Sequence, residues 1–255
     1  MIPACRPEKA QLNKDCEIWA VVPAAGIGKR MQSRIPKQYL ELAGRPVIEH
    51  SITRLLAVGR VKGVVVALQS GDPYWPGLHI ETDKPVLLAS GGAERCHSVM
   101  NALEVLANQP GYNADTAWAL VHDAVRPCVS TADVENLIDA ACGTESGALL
   151  AVPVRDTMKR QDQDQCVAQT VDRNGLWHAL TPQLFACERL SGALAAALDD
   201  GFIVTDESSA MEHAGYRPEL VPGREDNIKI TRPADLRLAE LYMQADSDQH
   251  DNGGR

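Results

Sequence analysis

The sequence predicts an α/β fold, a doubly wound and mostly parallel sheet with a projecting β-arm. Three observations lead there. Short aliphatic runs alternate with stretches of helical apolar spacing from residue 18 to residue 152. Glycine-rich turns follow the first and third runs, as strand-to-helix turns in such sheets do. The alternation then breaks at 153–175, a segment too polar to form a core layer.

The elements follow in order. Residues 1–17 are polar and are read as a flexible extension. Residues 18–23 form the first strand. Residues 46–58 carry helical spacing (Val47, Ile48, Ile52, Leu55, Leu56), with Pro46 suited to a first turn. Residues 61–68 are a β-branched strand, and 70–75 are rich in turn residues. Residues 85–89 are a third strand, and a helix over 94–106 follows Gly91-Gly92. Residues 118–122 are a fourth strand with Asp123 at its end. A helix over 131–141 has Ser130 or Thr131 as N-cap, and 148–152 is a further strand. In 153–175, two extended runs around a polar tip predict a hairpin that projects from the body. Helices are expected over 184–198, 208–214 and 233–243. Residues 18–244 thus make one domain, and the polar tail 245–255 is expected to be disordered.

Composition narrows the function. The chain has 255 residues, 45% of them hydrophobic, and a net charge of −9. An acidic chain is a poor general nucleic-acid binder, and one that takes a polyanion must gather its cations locally. No stretch reaches the apolar length of a membrane span, and the charged N-terminus lacks a signal-peptide core. The seven cysteines show no C-x-x-C pair, which argues against a zinc or disulfide framework and for a reducing cytoplasm.

The first strand ends in Pro23-Ala24-Ala25-Gly26-Ile27-Gly28-Lys29-Arg30-Met31, followed by Pro36-Lys37-Gln38. Unpaired backbone N–H groups at such a turn can cradle phosphate oxygens, and Arg30 and Lys37 add charge where a phosphoryl group would react. The run lacks the Lys-Ser/Thr of a Walker A loop and the third glycine of a dinucleotide fingerprint. It points to a nucleotide-dependent transferase; the plain alternative is an ordinary strand-to-helix turn.

Three further turns carry chemistry. Gly91-Gly92-Ala93-Glu94-Arg95-Cys96-His97-Ser98 lets backbone approach a flat ligand, and Ser98 can bond a base or sugar. Arg95 could face phosphate or simply solvent. In His122-Asp123-Ala124-Val125-Arg126-Pro127, Asp123 is placed to hold Mg²⁺ with help from substrate phosphates. Arg126 can bind phosphate bidentately or pair with Asp123, and His122 is expected to make a structural hydrogen bond. Thr205-Asp206-Glu207 offers N-caps, and Lys229 lies in an extended run.

Seven motifs run in one order over 18–242: P-A-A-G-x-G-x-R-M with P-K-Q, G-G-x-E-R with S, H-D-A-x-R-P, V-R-D-T-x-K, V-D-R-x-x-L-W-x-x-x-T-P-Q, T-D-E and N-I-K-I-T. The series resembles the 2-C-methyl-D-erythritol 4-phosphate cytidylyltransferase family. The resemblance implies a nucleotidyltransferase (glycosyltransferase-A-like) domain that moves a cytidylyl group from CTP to methylerythritol phosphate with Mg²⁺. It also implies a homodimer in which residues 153–175 of each subunit reach over the partner's site. By the same resemblance Pro23, Ala24, Ala25, Gly26, Gly28, Gly92, Ser98, Asp123 and Ala124 bind CTP, and Asp123 holds the metal. Arg30 and Lys37 stabilise the transition state, and Arg173 and Lys229 join them as catalytic groups. Arg126, Thr157, Arg173, Thr205 and Lys229 bind the second substrate, with Thr157 and Arg173 supplied in trans.

Ala93 and Val125 depart from residues common in relatives, at positions suited to backbone contact. A fused cyclodiphosphate synthase activity is not expected. A ribitol 5-phosphate cytidylyltransferase would share the CTP half, but the arm and the V-D-R-x-x-L-W run favour methylerythritol phosphate. A non-catalytic nucleotide binder on the same fold would be expected to lack Arg30, Lys37 or Asp123.

Overall fold

The computed structural model describes residues 16–26, 33 and 35–252, with side chains to 246. The expectations for 1–15, Gly28 and Arg30 lie outside the described residues. A seven-stranded sheet is built from β1 (Glu17–Pro23), β4 (Val61–Leu68), β5 (Val86–Ser90), β6 (Ala117–Val121), β7 (Ala148–Pro153), β10 (Trp177–Ala186) and β11 (Glu219–Pro222). Their order across the sheet is β11-β7-β10-β6-β1-β4-β5. β1 pairs in parallel with β4 and β6, β4 with β5, and β11 with β7. Of these strands only β10 runs against its neighbours, β6 and β7. Two small hairpins stand apart: β2 (Glu41–Leu42) with β3 (Arg45–Pro46), and β8 (Met158–Gln161) with β9 (Val167–Val171).

Side-chain alternation along the central strands explains why both faces are covered. On β1, Ala20 and Val22 face one layer and Val21 the other. The first layer buries Ile48, Ile52 and Leu55 of α1 (Val47–Leu56) with Val134, Leu137 and Ile138 of α3 (Thr131–Ala141). The second buries Val99, Leu103 and Leu106 of α2 (Arg95–Ala107) with Leu190 and Leu194 of α4 (Cys187–Asp199) and Met211 of α5 (Glu207–His213). A smaller cluster of Leu42, Val47, Val125, Cys128, Ile230 and Ala239 seats α6 (Pro233–Asn252) beside the end of β6.

Three differences from the sequence expectations have local causes. The helix expected from Leu184 begins at Cys187, because Leu184 and Phe185 pair with Leu120 and Ala119 as the end of β10. A short apolar run has no period that separates buried strand from buried helix. The tail expected to be disordered from residue 245 instead continues α6 to Asn252. Asp246 anchors that turn: it is buried and pairs with Arg54 at 3.4 Å and Arg224 at 2.8 Å. β11 went unrecognised, being only four residues long and defined by its ladder with β7.

The segment 153–175 does contain a hairpin, β8 with β9. Its residues are mostly exposed, and neither strand joins the main sheet. No helix among the described residues is long and apolar enough to cross a membrane.

Candidate active site

β1 and β6 are neighbours and β5 lies one strand beyond β1, across β4, and the turns after their C-terminal ends meet. They form a cleft lined by Pro23, Ala24, Ala25 and Gly26 after β1, by Gly92, Glu94, Arg95 and Ser98 after β5, and by Asp123, Ala124 and Val125 after β6. Lys37, Gln38 and Lys229 close its sides.

The glycines are set by close approach rather than by special dihedrals. A Cβ on Gly91 would lie 2.2 Å from Ala25 Cβ, and one on Gly92 would lie 2.2 Å from His97 Cβ. A side chain at Gly91 would push the two loops apart, and one at Gly92 would push its turn off the start of α2. The Gly91 N–H donates to Leu68 O at 2.6 Å, and the Gly92 N–H donates to Ser98 Oγ at 3.0 Å. Ser98 thus holds the diglycine turn from the first turns of α2. Gln38 is buried and donates to Ala24 O at 2.7 Å, tying the first loop to the short 3-10 helix that carries Lys37. Lys37 Nζ reaches Ile230 O at 3.5 Å, beside Lys229.

Asp123 is the electrostatic centre. Its carboxylate is buried yet faces three cations: Arg95 Nε at 3.0 Å, Lys229 Nζ at 2.8 Å and Arg126 Nε at 3.5 Å. Burial alone would raise its pKa, but Arg95, Lys229 and Arg126 outweigh it and hold the group far below the carboxylate range. Arg95 also bonds Glu207, with Nη1 2.6 Å from Oε1, and Glu207 is wholly buried at the start of α5. Burial pushes the Glu207 carboxyl up against the pull of Arg95. The cleft lining carries Lys37, Arg95 and Lys229 against Glu94 and Asp123, a positive surplus that suits a polyanion in an acidic protein.

A relay fixes the Asp123 turn. The Asp123 N–H donates to Thr181 Oγ1 at 3.0 Å, and Thr181 Oγ1 lies 3.1 Å from His122 Nδ1. His122 Nε2 lies 3.0 Å from Arg126 O. A carbonyl only accepts, so Nε2 carries the proton and the Thr181 hydroxyl donates to Nδ1. Burial lowers the His122 pKa to about 4, consistent with a neutral ring. His122 therefore takes the structural role expected of it. Thr181 falls where the β10–β7 ladder is interrupted, between Ala179 and Gln183. Its hydroxyl is spent on the Asp123 N–H and His122 Nδ1.

The cleft gathers Pro23, Ala24, Ala25, Gly26, Lys37, Gly92, Ser98, Asp123, Ala124 and Lys229. Arg126 is buried instead, donating to Asn227 O at 2.6 Å and lying against Asp123. Thr205 is exposed just before α5, and its N–H donates to Ser209 Oγ at 3.1 Å. Asp206, the expected cap, accepts from Ser209 N. Thr157 and Arg173 stand on the exposed hairpin segment, away from this chain's cleft lining, with Arg173 donating to Arg155 O. Glu207, Thr181 and Asn227 stand in motifs the sequence singled out, but their roles, and the pairing of Arg95 with Asp123 and Glu207, were not read from it. The one sequence signal for Glu207 was an acid directly after the N-cap candidate Asp206.

The donor set fits one hard cation. A carboxylate has about four lone-pair sites. Arg95 Nε bonds Oδ1 and Lys229 Nζ bonds Oδ2 of Asp123, while Arg126 Nε lies 3.5 Å from Oδ2 without a hydrogen bond. One oxygen can still bind Mg²⁺ if substrate phosphates and water complete the shell.

Comparison with known proteins gives a consistent result. The family model described as 2-C-methyl-D-erythritol 4-phosphate cytidylyltransferase matches residues 18–245. A protein of that name from Aliivibrio fischeri is 50% identical over 233 residues, covering 91% of this chain and 96% of its own. One from Photobacterium profundum is 47% identical over 232 residues, covering 89% and 97%. Among solved structures, a 4-diphosphocytidyl-2C-methyl-D-erythritol synthase superposes with a TM-score of 0.77 at 34% identity, covering 89% of this chain and 99% of its own. The Francisella tularensis 2-C-methyl-D-erythritol 4-phosphate cytidylyltransferase gives 0.75 at 31% identity, with the same coverage.

Proposed function

The chain belongs to the 2-C-methyl-D-erythritol 4-phosphate cytidylyltransferase family, and we propose that the cleft at the ends of β1, β5 and β6 is its reaction centre. The enzyme transfers a cytidylyl group from CTP to 2-C-methyl-D-erythritol 4-phosphate. The products are 4-diphosphocytidyl-2-C-methyl-D-erythritol and pyrophosphate, on the non-mevalonate route to isoprenoids. The observation that carries the site is the meeting of two glycine loops, Lys37 and Lys229 around one buried carboxylate, Asp123.

In this reading the backbone of 24–26 cradles the triphosphate, and Gly92 with Ser98 meets the cytosine or its sugar. The attacking phosphate is already anionic, so no general base is required. Catalysis consists of holding two polyanions in line and neutralising charge at the α-phosphorus. Lys37 and Lys229 supply donors within the cleft, and Arg30 is assigned the same task from the family motif. Asp123 would hold Mg²⁺, which when bound adds positive charge at the phosphates. Arg126 acts mainly by fixing Asp123 and the Asn227 carbonyl.

The second substrate's phosphate is assigned to Thr205 and Lys229 of one subunit and to Thr157 and Arg173 of its partner. The exposed, separate β8–β9 hairpin supports this arm exchange, since an unpartnered ribbon needs a surface to cover its edges. Free thiols at Cys16, Cys96, Cys128, Cys142, Cys166 and Cys187 support a reducing, cytoplasmic setting. The direct test is pyrophosphate release from CTP, comparing methylerythritol phosphate with ribitol 5-phosphate. Faster turnover with ribitol phosphate would overturn the substrate assignment.

A further inference from the structure

Three unlike metal-ligating side chains meet at the start of α2, directly after the diglycine turn. Cys96 Sγ lies 3.9 Å from Glu94 Oε2 and 3.8 Å from His97 Nδ1. One donor atom of each residue falls within 4.8 Å of the other two. Neither Cys96 nor His97 has a part in the transfer chemistry derived above.

We propose that Glu94, Cys96 and His97 form a binding site for a thiophilic divalent cation of the zinc class, and that its occupancy inhibits nucleotide binding. The spacing carries the first half. Zinc bonds of about 2.3 Å to sulfur and about 2.0–2.1 Å to nitrogen or oxygen put tetrahedral ligand pairs about 3.6 Å apart. The sulfur separations here exceed that by a few tenths of an ångström, within the reach of rotamer adjustment. A mixed thiolate, imidazole and carboxylate set selects zinc over magnesium, which takes oxygens in octahedral array. As the metal–sulfur bond forms, the Cys96 thiol proton leaves to solvent, and water takes the fourth position. No oxidant is involved.

Position carries the second half, and it rests on the reading of the cleft as the CTP site. Glu94 lines that cleft. His97 Cβ and its backbone stand where a Gly92 side chain would be, so this residue is packed on the turn assigned to the nucleotide. A cation drawing Glu94 and His97 together would hold that turn in its unliganded shape and engage a carboxylate of the cleft wall.

The test uses the full-length chain without nucleotide. Co²⁺ is titrated while thiolate-to-cobalt charge-transfer absorption is followed, and Zn²⁺ is then added to displace it. Wild type should show one thiolate-bound equivalent that zinc removes. Cys96→Ser and His97→Gln, each checked for folding by circular dichroism, should bind about tenfold more weakly or worse. With Mg²⁺ saturating, Zn²⁺ should raise the apparent KM for CTP in wild type and not in the variants. No thiolate band in wild type, or an equal band in both variants from another thiol such as exposed Cys166, overturns the site. A normal band with an unchanged KM overturns the inhibitory role. If the reading of the cleft as the CTP site failed instead, Asp123→Asn would leave the KM for CTP unchanged while the cobalt spectrum still reported the metal site.

Discussion

Glu207 and Arg95 form a buried ion pair across 112 residues of sequence, with Arg95 Nη1 2.6 Å from Glu207 Oε1. Glu207 is wholly inaccessible, while the Arg95 side chain keeps 28% of its surface exposed toward the cleft. Glu207 thus fixes the guanidinium from behind, leaving its Nε to bond Asp123 Oδ1 at 3.0 Å. The pair ties α5 to the start of α2 and sets the charge that Asp123 sees.

Removing one partner of a buried pair leaves the other uncompensated. Glu207→Gln should lower unfolding stability by about 3 kcal/mol, the low end for such losses because Arg95 keeps Asp123. Urea denaturation followed by fluorescence measures this. An unchanged midpoint would show that the pair contributes nothing to the fold.

Lys37 is held near the cleft by the Gln38–Ala24 bond, so its loss should not disturb the fold. Lys37→Ala should cut kcat by about 10²-fold or more, the scale for one preorganised electrostatic group. Near-normal turnover at saturating substrates would remove it from the mechanism.

Asp123→Asn keeps shape but loses the charge that three cations surround. Activity should fall, and its dependence on Mg²⁺ concentration should shift to higher values. EDTA should silence the wild type, and Mg²⁺ should restore it. Full activity in EDTA contradicts the assignment of Asp123 to a metal.

His122 makes a pH prediction with a definite sign. Its pKa falls from an ordinary 6.5 to about 4 on folding. Between those values the unfolded chain binds more protons than the folded one, so stability falls as pH drops. The loss is complete near pH 4 and amounts to about 3 kcal/mol, at about 1.4 kcal/mol per pKa unit. Replacing His122 with Gln should flatten that part of the stability curve, whatever it does to the plateau. Equal slopes between pH 6.5 and 4 in both proteins would falsify this account.

Arm exchange predicts complementation. Arg173→Ala and Lys37→Ala should each be weak alone. In a mixed dimer one site receives neither lesion, because the two residues come from different chains. Purified heterodimers should recover part of the activity, and no recovery above either mutant would end the trans assignment.

The loops at 23–26, 91–98 and 122–126 were legible because each follows an apolar run, and strand ends are where such sheets bind ligands. Lys37 and Lys229 were legible as cations in the extended or turn segments of the motif series. The α6 extension was not, since a polar tail looks unstructured until Asp246 meets Arg54 and Arg224.

By itself, then, the sequence determined the alternation of strands and helices, the positions of the close-packed glycines and the chemical types in the cleft. These follow from local rules of periodicity and steric volume. Tertiary structure alone decided that β10 runs antiparallel, that Thr181 and His122 brace the Asp123 turn, that Arg126 is buried, and that Glu207 lies behind Arg95. Those depend on which strands become neighbours. Charges far apart in the chain acquire their energies only when burial removes the water between them.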